Sequence, residues 1–243
     1  MTARFIFILL AITALGMQVT FFQTYSTAYF RIKYEKSVNI NDVKKLGEEL
    51  EHQYENLNKR FGITLNHRID VFVYNSDIKF HSDSRSVIFD DGAVMNSQIY
   101  LMSPKKLEQE VGLKNVVARV VTRAVLDEIP FSPPWLRECY ALYAGGDLSM
   151  FGDPARFKVS DFEDLSEEYS TAEREKDVKE LYAKLAVTAN FMVNRYGEKK
   201  VEEVFAEFSS GRSLDEAFEK VFNEKVGDIE KAWMTDLKNP PRE

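Results

Sequence analysis

The residue types that most often carry protein chemistry are sparse in this chain of 243 residues, which holds three histidines and one cysteine. His52 falls among charged residues in the middle of a helical pattern, while His67 and His81 flank a strand and a loop. No two of them have the four-residue spacing that turns two imidazoles of one helix toward a single metal ion. Each therefore reads as a surface histidine. Cys139 stands in an apolar helical stretch with no histidine beside it, and so reads as a small buried hydrophobe rather than a nucleophile. A lone cysteine also excludes an intramolecular disulfide and a thiolate zinc cluster. The adjacent acids Asp127 and Glu128 suit the end of a helix and its loop better than an acid/base pair. Neither a glycine-rich phosphate loop nor a Gly-x-Ser-x-Gly nucleophile turn is present.

The chain that must position these groups is well able to fold, being 44% apolar with 18 Phe, 11 Tyr and 2 Trp. Its 32 basic and 39 acidic residues leave a formal charge of −7, spread along the sequence, which argues against a nucleic-acid partner. The start is different in character. Arg4 precedes the apolar run Phe5–Ile12, a milder stretch continues through Phe22, and small residues follow at Ser26 and Ala28. This reads as an export signal over residues 1–28, cleaved after Ala28. The alternative is an uncleaved anchor, because residues 5–22 are about long enough to span a bilayer and would give membrane association. Both readings place the rest outside the cytoplasm, whether secreted, periplasmic or anchored.

From Tyr29 onward, Phe30, Ile32 and Tyr34 alternate with Arg31, Lys33 and Glu35, the period of a half-buried strand. A helix capped by Asn41 or Asp42 then carries Val43, Leu46, Leu50, Tyr54, Leu57 and Phe61, and Gly62 stops it. Ile69–Tyr74, Ser86–Phe89 and Gln98–Met102 follow as strands, with a turn at Asp90-Asp91-Gly92. After Ser103-Pro104 the pattern is helical: an apolar stripe from Leu113 to Val125, a break at Pro130–Pro134, and a second helix from Trp135. A polar passage to Lys176 reads as a loop with short helices, and helices follow at Leu181–Tyr196, Val201–Phe208, Leu214–Phe222 and Val226–Leu237. The expected fold class is α+β, one domain over residues 29–243, with a small mixed sheet and helices in the part to residue 128 and a mainly helical part over 129–243.

The stretch Val116–Leu126, followed by Pro133-Pro134-Trp135-Leu136-Arg137-Glu138-Cys139-Tyr140-Ala141, resembles the peptidase MA-like zinc metallopeptidases, the thermolysin-like gluzincins. In that family His-Glu-x-x-His on one helix is followed by Trp-Leu-x-Glu-Gly-x-Ala on the next. The likeness extends to Phe30-Arg31-Ile32, Ile99-Tyr100-Leu101, Phe191 with Tyr196-Gly197, Gly211–Phe218 and Ile229–Trp233. Carried over position by position, it puts Arg119 and Arg123 where the two histidine ligands would stand, Val120 where the general base would stand, and Glu138 at the third ligand. Tyr182 falls where related enzymes often stabilise an oxyanion, and Trp135 is a further cleft residue.

Arginine has no lone pair for a metal and valine cannot take a proton, so the resemblance implies a domain without this metal or any other cofactor. Arg119 and Arg123 share a helix face, which allows a guanidinium–carboxylate pair with Glu138; the alternative is that both arginines point to water. The resulting expectation is a pseudopeptidase that binds a peptide or protein partner in the inherited cleft. Two others stay open: a hydrolase with a different, non-zinc or relocated-metal site in the same cleft, and a structural domain of an envelope assembly.

Overall fold

The computed structural model describes residues 22–85, 91–110, 112–146, 161–172 and 175–238. Among these, five strands form one sheet: β1 (Phe22–Ser26), β2 (Phe30–Glu35), β3 (Ile69–Tyr74), β4 (Gly92–Met95) and β5 (Gln98–Met102), in the order β1-β2-β3-β5-β4. The three central strands run parallel, and each edge strand is antiparallel to its neighbour. Period-two alternation explains the layers. Phe30 and Ile32, Ile69, Val71 and Val73, and Ile99 and Leu101 are buried on one face, beneath helices. The other face carries Arg31 and Lys33, both paired with Asp70, and the stacked rings of Phe72 and Tyr100.

β1 precedes the point at which the sequence pattern places the first strand, and it lies inside residues 1–28. Its residues Gln23, Thr24 and Ser26 hide the alternation, as a polar edge strand does. It is nonetheless built into the sheet. Phe22 packs edge-on against Phe72 and Tyr74, and a Cβ placed on Gly47 would stand 3.1 Å from the Tyr25 ring.

The inner face is covered by α1 (Ile40–Phe61), which begins one turn earlier than its apolar spacing suggests because Asn39 is the cap, accepting from the Asn41 N–H; Gly62 closes the helix in the left-handed conformation. The short helix α2 (Asp77–Ser84), capped by Ser76, packs Phe80 on Tyr74; the sequence reading has no counterpart for it. Gly92, expected in a turn, opens β4, and the expected strand at Ser86–Phe89 falls outside the described residues.

After α3 (Pro104–Glu110), α4 (Leu113–Leu126) lays Val116, Val117, Val120, Val121, Ala124 and Val125 into the sheet-side core, while Leu126 reaches a second core. That second core is helical: α5 (Pro134–Ala144), α6 (Phe162–Thr171), α7 (Glu175–Tyr196), α8 (Glu198–Ser209), α9 (Leu214–Phe222) and α10 (Val226–Lys238). The polar passage thus contains a complete helix, α6, and α7 starts six residues before the apolar pattern does. Phe61 and Ile63 touch both cores, and Arg60 ties α1 to Tyr140, Glu198 and Glu202. The fold is α+β, with the sheet in the first half and helices behind it.

Candidate functional site

The two segments that carry the resemblance lie on packed neighbours. α4 is long and apolar enough to be gripped from two sides, by the sheet and α1 on one and by α5 on the other. α5 starts with a proline in its first turn, after Pro130–Pro133 have ended the chain's previous direction. The guanidinium that meets Glu138 is that of Arg123, with Nη1 3.1 Å from Oε2. Glu138 is only 2% exposed, whereas about a quarter (26%) of the Arg123 side chain reaches water.

A third group closes the site. The Tyr169 hydroxyl of α6 donates to Glu138 Oε2 over 3.5 Å and lies 3.5 Å from Arg123 Nη2, both long contacts. Burial opposes the Arg123 charge, but Glu138, then Tyr169, Tyr182 and Asp127, outweigh it and hold the guanidinium above its ordinary range. Burial, with Glu138 nearby, pushes the Tyr169 phenol up to about 12. A second pair runs the other way between the same helices: Arg137 of α5 places Nε 3.2 Å from Oδ1 of Asp127, the C-cap of α4. Burial raises the Asp127 carboxyl, and Arg137 and Arg123 counter it.

The other sequence-derived positions distribute as follows. Arg119 is half-buried with its Cβ against Gly145, 3.2 Å from where a Cβ would sit there. Val120 belongs to the sheet-side core, facing Gly92 of β4. Trp135, expected as a cleft residue, is 2% exposed and stacked on Phe162 in the helical core. Tyr182 is 8% exposed within that core and acts on Arg123 electrostatically. Cys139 is buried, and its thiol is pushed well up by burial and then by Glu138. His52 and His67 are exposed, and His81 lies beside Phe80. A polar groove of about 780 Å³ between α1, α3 and the start of α4, lined among others by Asp42, His52 and Lys114, includes none of these site residues other than His52.

Tyr169 is the site residue that sequence reasoning missed. Its signal was present: Asp161 caps α6, and Phe162, Leu165 and Tyr169 follow at helical spacing.

The edge strand β4 runs beside α4, on the side that carries Val116 and Val120. Met102 N–H donates to the Asp91 carbonyl at 3.0 Å, which fixes Ala93/Tyr100 as a hydrogen-bonded pair and directs the Val94 N–H and C=O away from β5. β4 approaches α4 so closely that a Cβ on Gly92 would lie 2.6 Å from Val116 Cγ1.

The residues at this site do not fit a zinc ion. Two of the three positions that the resemblance assigns to ligands are guanidinium groups, and the third, Glu138, already receives Arg123 and Tyr169. Among the described residues no three His, Cys, Asp or Glu side chains converge as a metal-binding group. No curated protein sequence matches the chain. A family model for the peptidase MA superfamily matches residues 52–239, about three quarters of the chain and the whole of the α4–α5 unit. By that match, the chain belongs to the peptidase MA superfamily.

Proposed function

We propose that this chain is an extracytoplasmic, catalytically inactive member of the superfamily that binds an extended segment of a peptide or protein partner. The observation that carries the reading is the Arg123–Glu138 ion pair, at positions which the resemblance assigns to a histidine and a glutamate ligand. A cationic side chain there takes up the carboxylate, and Val120 offers no group to remove a proton from water. Binding can use what does not depend on a metal. The Val94 N–H and C=O, directed away from β5 alongside α4, suit addition of an extended segment as a further strand.

The export reading is narrowed by β1. A cut after Ala28 would remove a strand paired with β2 along its whole length, so the form supported here keeps residues 22–28 in the domain and the apolar run ahead of them as an anchor. No helix among the described residues is long and apolar enough to cross a membrane.

The test is hydrolysis of casein and of a peptide library by the purified chain, with and without added Zn²⁺, beside an Arg119→His/Val120→Glu/Arg123→His variant. The natural chain should be inert and carry no stoichiometric zinc, while the variant gains zinc binding. Hydrolysis by the natural chain that a chelator stops would overturn the reading through the metal. Hydrolysis that survives the chelator would overturn it in favour of another site in the cleft.

A further inference from the structure

The register of β1 fixes where the apolar N-terminal run meets the domain. Phe22 pairs with Glu35, the last residue of β2, so the run enters at the end of the sheet where β2, β3 and β5 finish and α1, α2 and α3 begin. Phe22 is itself a strand residue, so the chain ahead of it leaves from this end of the sheet. Whatever holds residues 5–21 therefore also holds this end of the sheet close by.

The same end bears two of the three large apolar side chains that stand in solvent among the described residues. Ile40 is the first residue of α1 and is 40% exposed; Ile78 is the second residue of α2 and is 86% exposed. α2 buries Phe80 and Ser84, so its own packing does not call for an isoleucine at 78. Lysines and acids ring the pair. Lys79 lies over the Phe22 ring at 5.1 Å and reaches Glu35 at 3.7 Å, Lys106 pairs with Asp77 at 2.5 Å, and Lys36, Lys44 and Lys105 are exposed. Apolar tips among flexible amines, at the point where an apolar segment leaves a domain, match the layered chemistry of a bilayer surface.

We propose that this end of the sheet rests on a lipid bilayer, with Ile40 and Ile78 entering the interfacial layer and Lys36 and Lys105 at the headgroups. The inference rests on the anchored form of the export reading. It gives the domain a fixed orientation, in which the β4–β5 turn at Asn96-Ser97 and the approach to β3 at His67 lie at the far end of the sheet, roughly 20 Å away for strands of this length.

The full chain is reconstituted into vesicles of phosphatidylcholine and phosphatidylglycerol, carrying a bimane on Ile78→Cys, Ile40→Cys or, as control, His67→Cys. Buried Cys139 does not compete for the label, and matching thermal melts confirm that each labelled chain is folded. Labels at 78 and 40 should show a blue shift and lose intensity to brominated lipid chains, while the label at 67 responds only to aqueous iodide. If the chain sediments with the vesicles but labels 78 and 40 behave like 67, this docking face is wrong and the anchored reading stands. If the full chain does not sediment with the vesicles, the anchored reading fails, and this inference fails with it.

Discussion

Replacing Glu138 with glutamine probes the α4–α5 junction most directly. Its carboxylate is 2% exposed, receives Arg123 Nη1 at 3.1 Å and lies 3.5 Å from the Tyr169 hydroxyl. Removing one partner of a buried pair costs about 3–5 kcal/mol, because the other charge is left without compensation. Two features bring the figure down: the 26% exposure of Arg123 admits water, and the glutamine carbonyl still accepts a hydrogen bond. A loss of about 2 kcal/mol follows, which in a domain of this size lowers Tm by roughly 4–8 °C. Thermal and urea unfolding followed by circular dichroism measures it. Arg123→Met alone should cost more, about 3–5 kcal/mol, since it strands a carboxylate with almost no access to water. Arg123→Met combined with Glu138→Leu should recover most of either loss, because an apolar pair removes both desolvation costs together. Glu138→Gln within about 0.5 kcal/mol of the natural chain, or a double variant equal to the sum of the singles, would refute the pairing argument.

The same measurements test two further points. Gly92→Ala should cost about 1–3 kcal/mol, since its Cβ would lie 2.6 Å from Val116 Cγ1 and 2.9 Å from Val120 Cγ1; adding Val120→Ala should restore part of the loss, and an unchanged melt would mean that β4 and α4 are not in close contact. Asp70 is held below the usual carboxylate range, first by its hydrogen bond from Arg31 and then by Lys33 and the charges of both. Its contribution is therefore present above the unfolded carboxyl pKa of about 3.9 and lost as pH falls through the lower folded value. Asp70→Asn should accordingly lower Tm at neutral pH and leave it unchanged in acid, and an equal deficit at both would contradict the ion-pair origin.

What could be read from the sequence follows the strength of each periodic signal. α1, α4, α9 and α10 each present one apolar stripe between clear stops, so their spacing located them to within a few residues. β1 and α2 gave no such signal: one is a polar edge strand, and the other buries a single large side chain. Gly92 misled for a related reason. Beside two aspartates it has the composition of a turn, but its role is to let a helix approach a strand, and that neighbour is more than twenty residues away. The pairing of Arg123 with Glu138 could be anticipated because helical spacing and the resemblance both put them at one junction. Tyr169 was missed because its cap and helical spacing sit inside a passage whose overall composition is that of a loop.

The geometry also indicates what the charges at this junction do beyond filling a position. Two ion pairs of opposite sense cross from α4 to α5: Arg123 gives a cation to Glu138, and Arg137 returns one to Asp127. On α4 the cation and the acid are one turn apart. A slip of one turn in that direction would therefore carry Asp127 toward Glu138, bringing two partly desolvated carboxylates together, and would separate both guanidiniums from their partners. A metal ion bound across two helices constrains them by coordination geometry; here the constraint is electrostatic, and it persists only while each charge keeps its partner. That dependence predicts that Asp127→Asn and Glu138→Gln will prove coupled rather than additive, although the two side chains do not pair with each other.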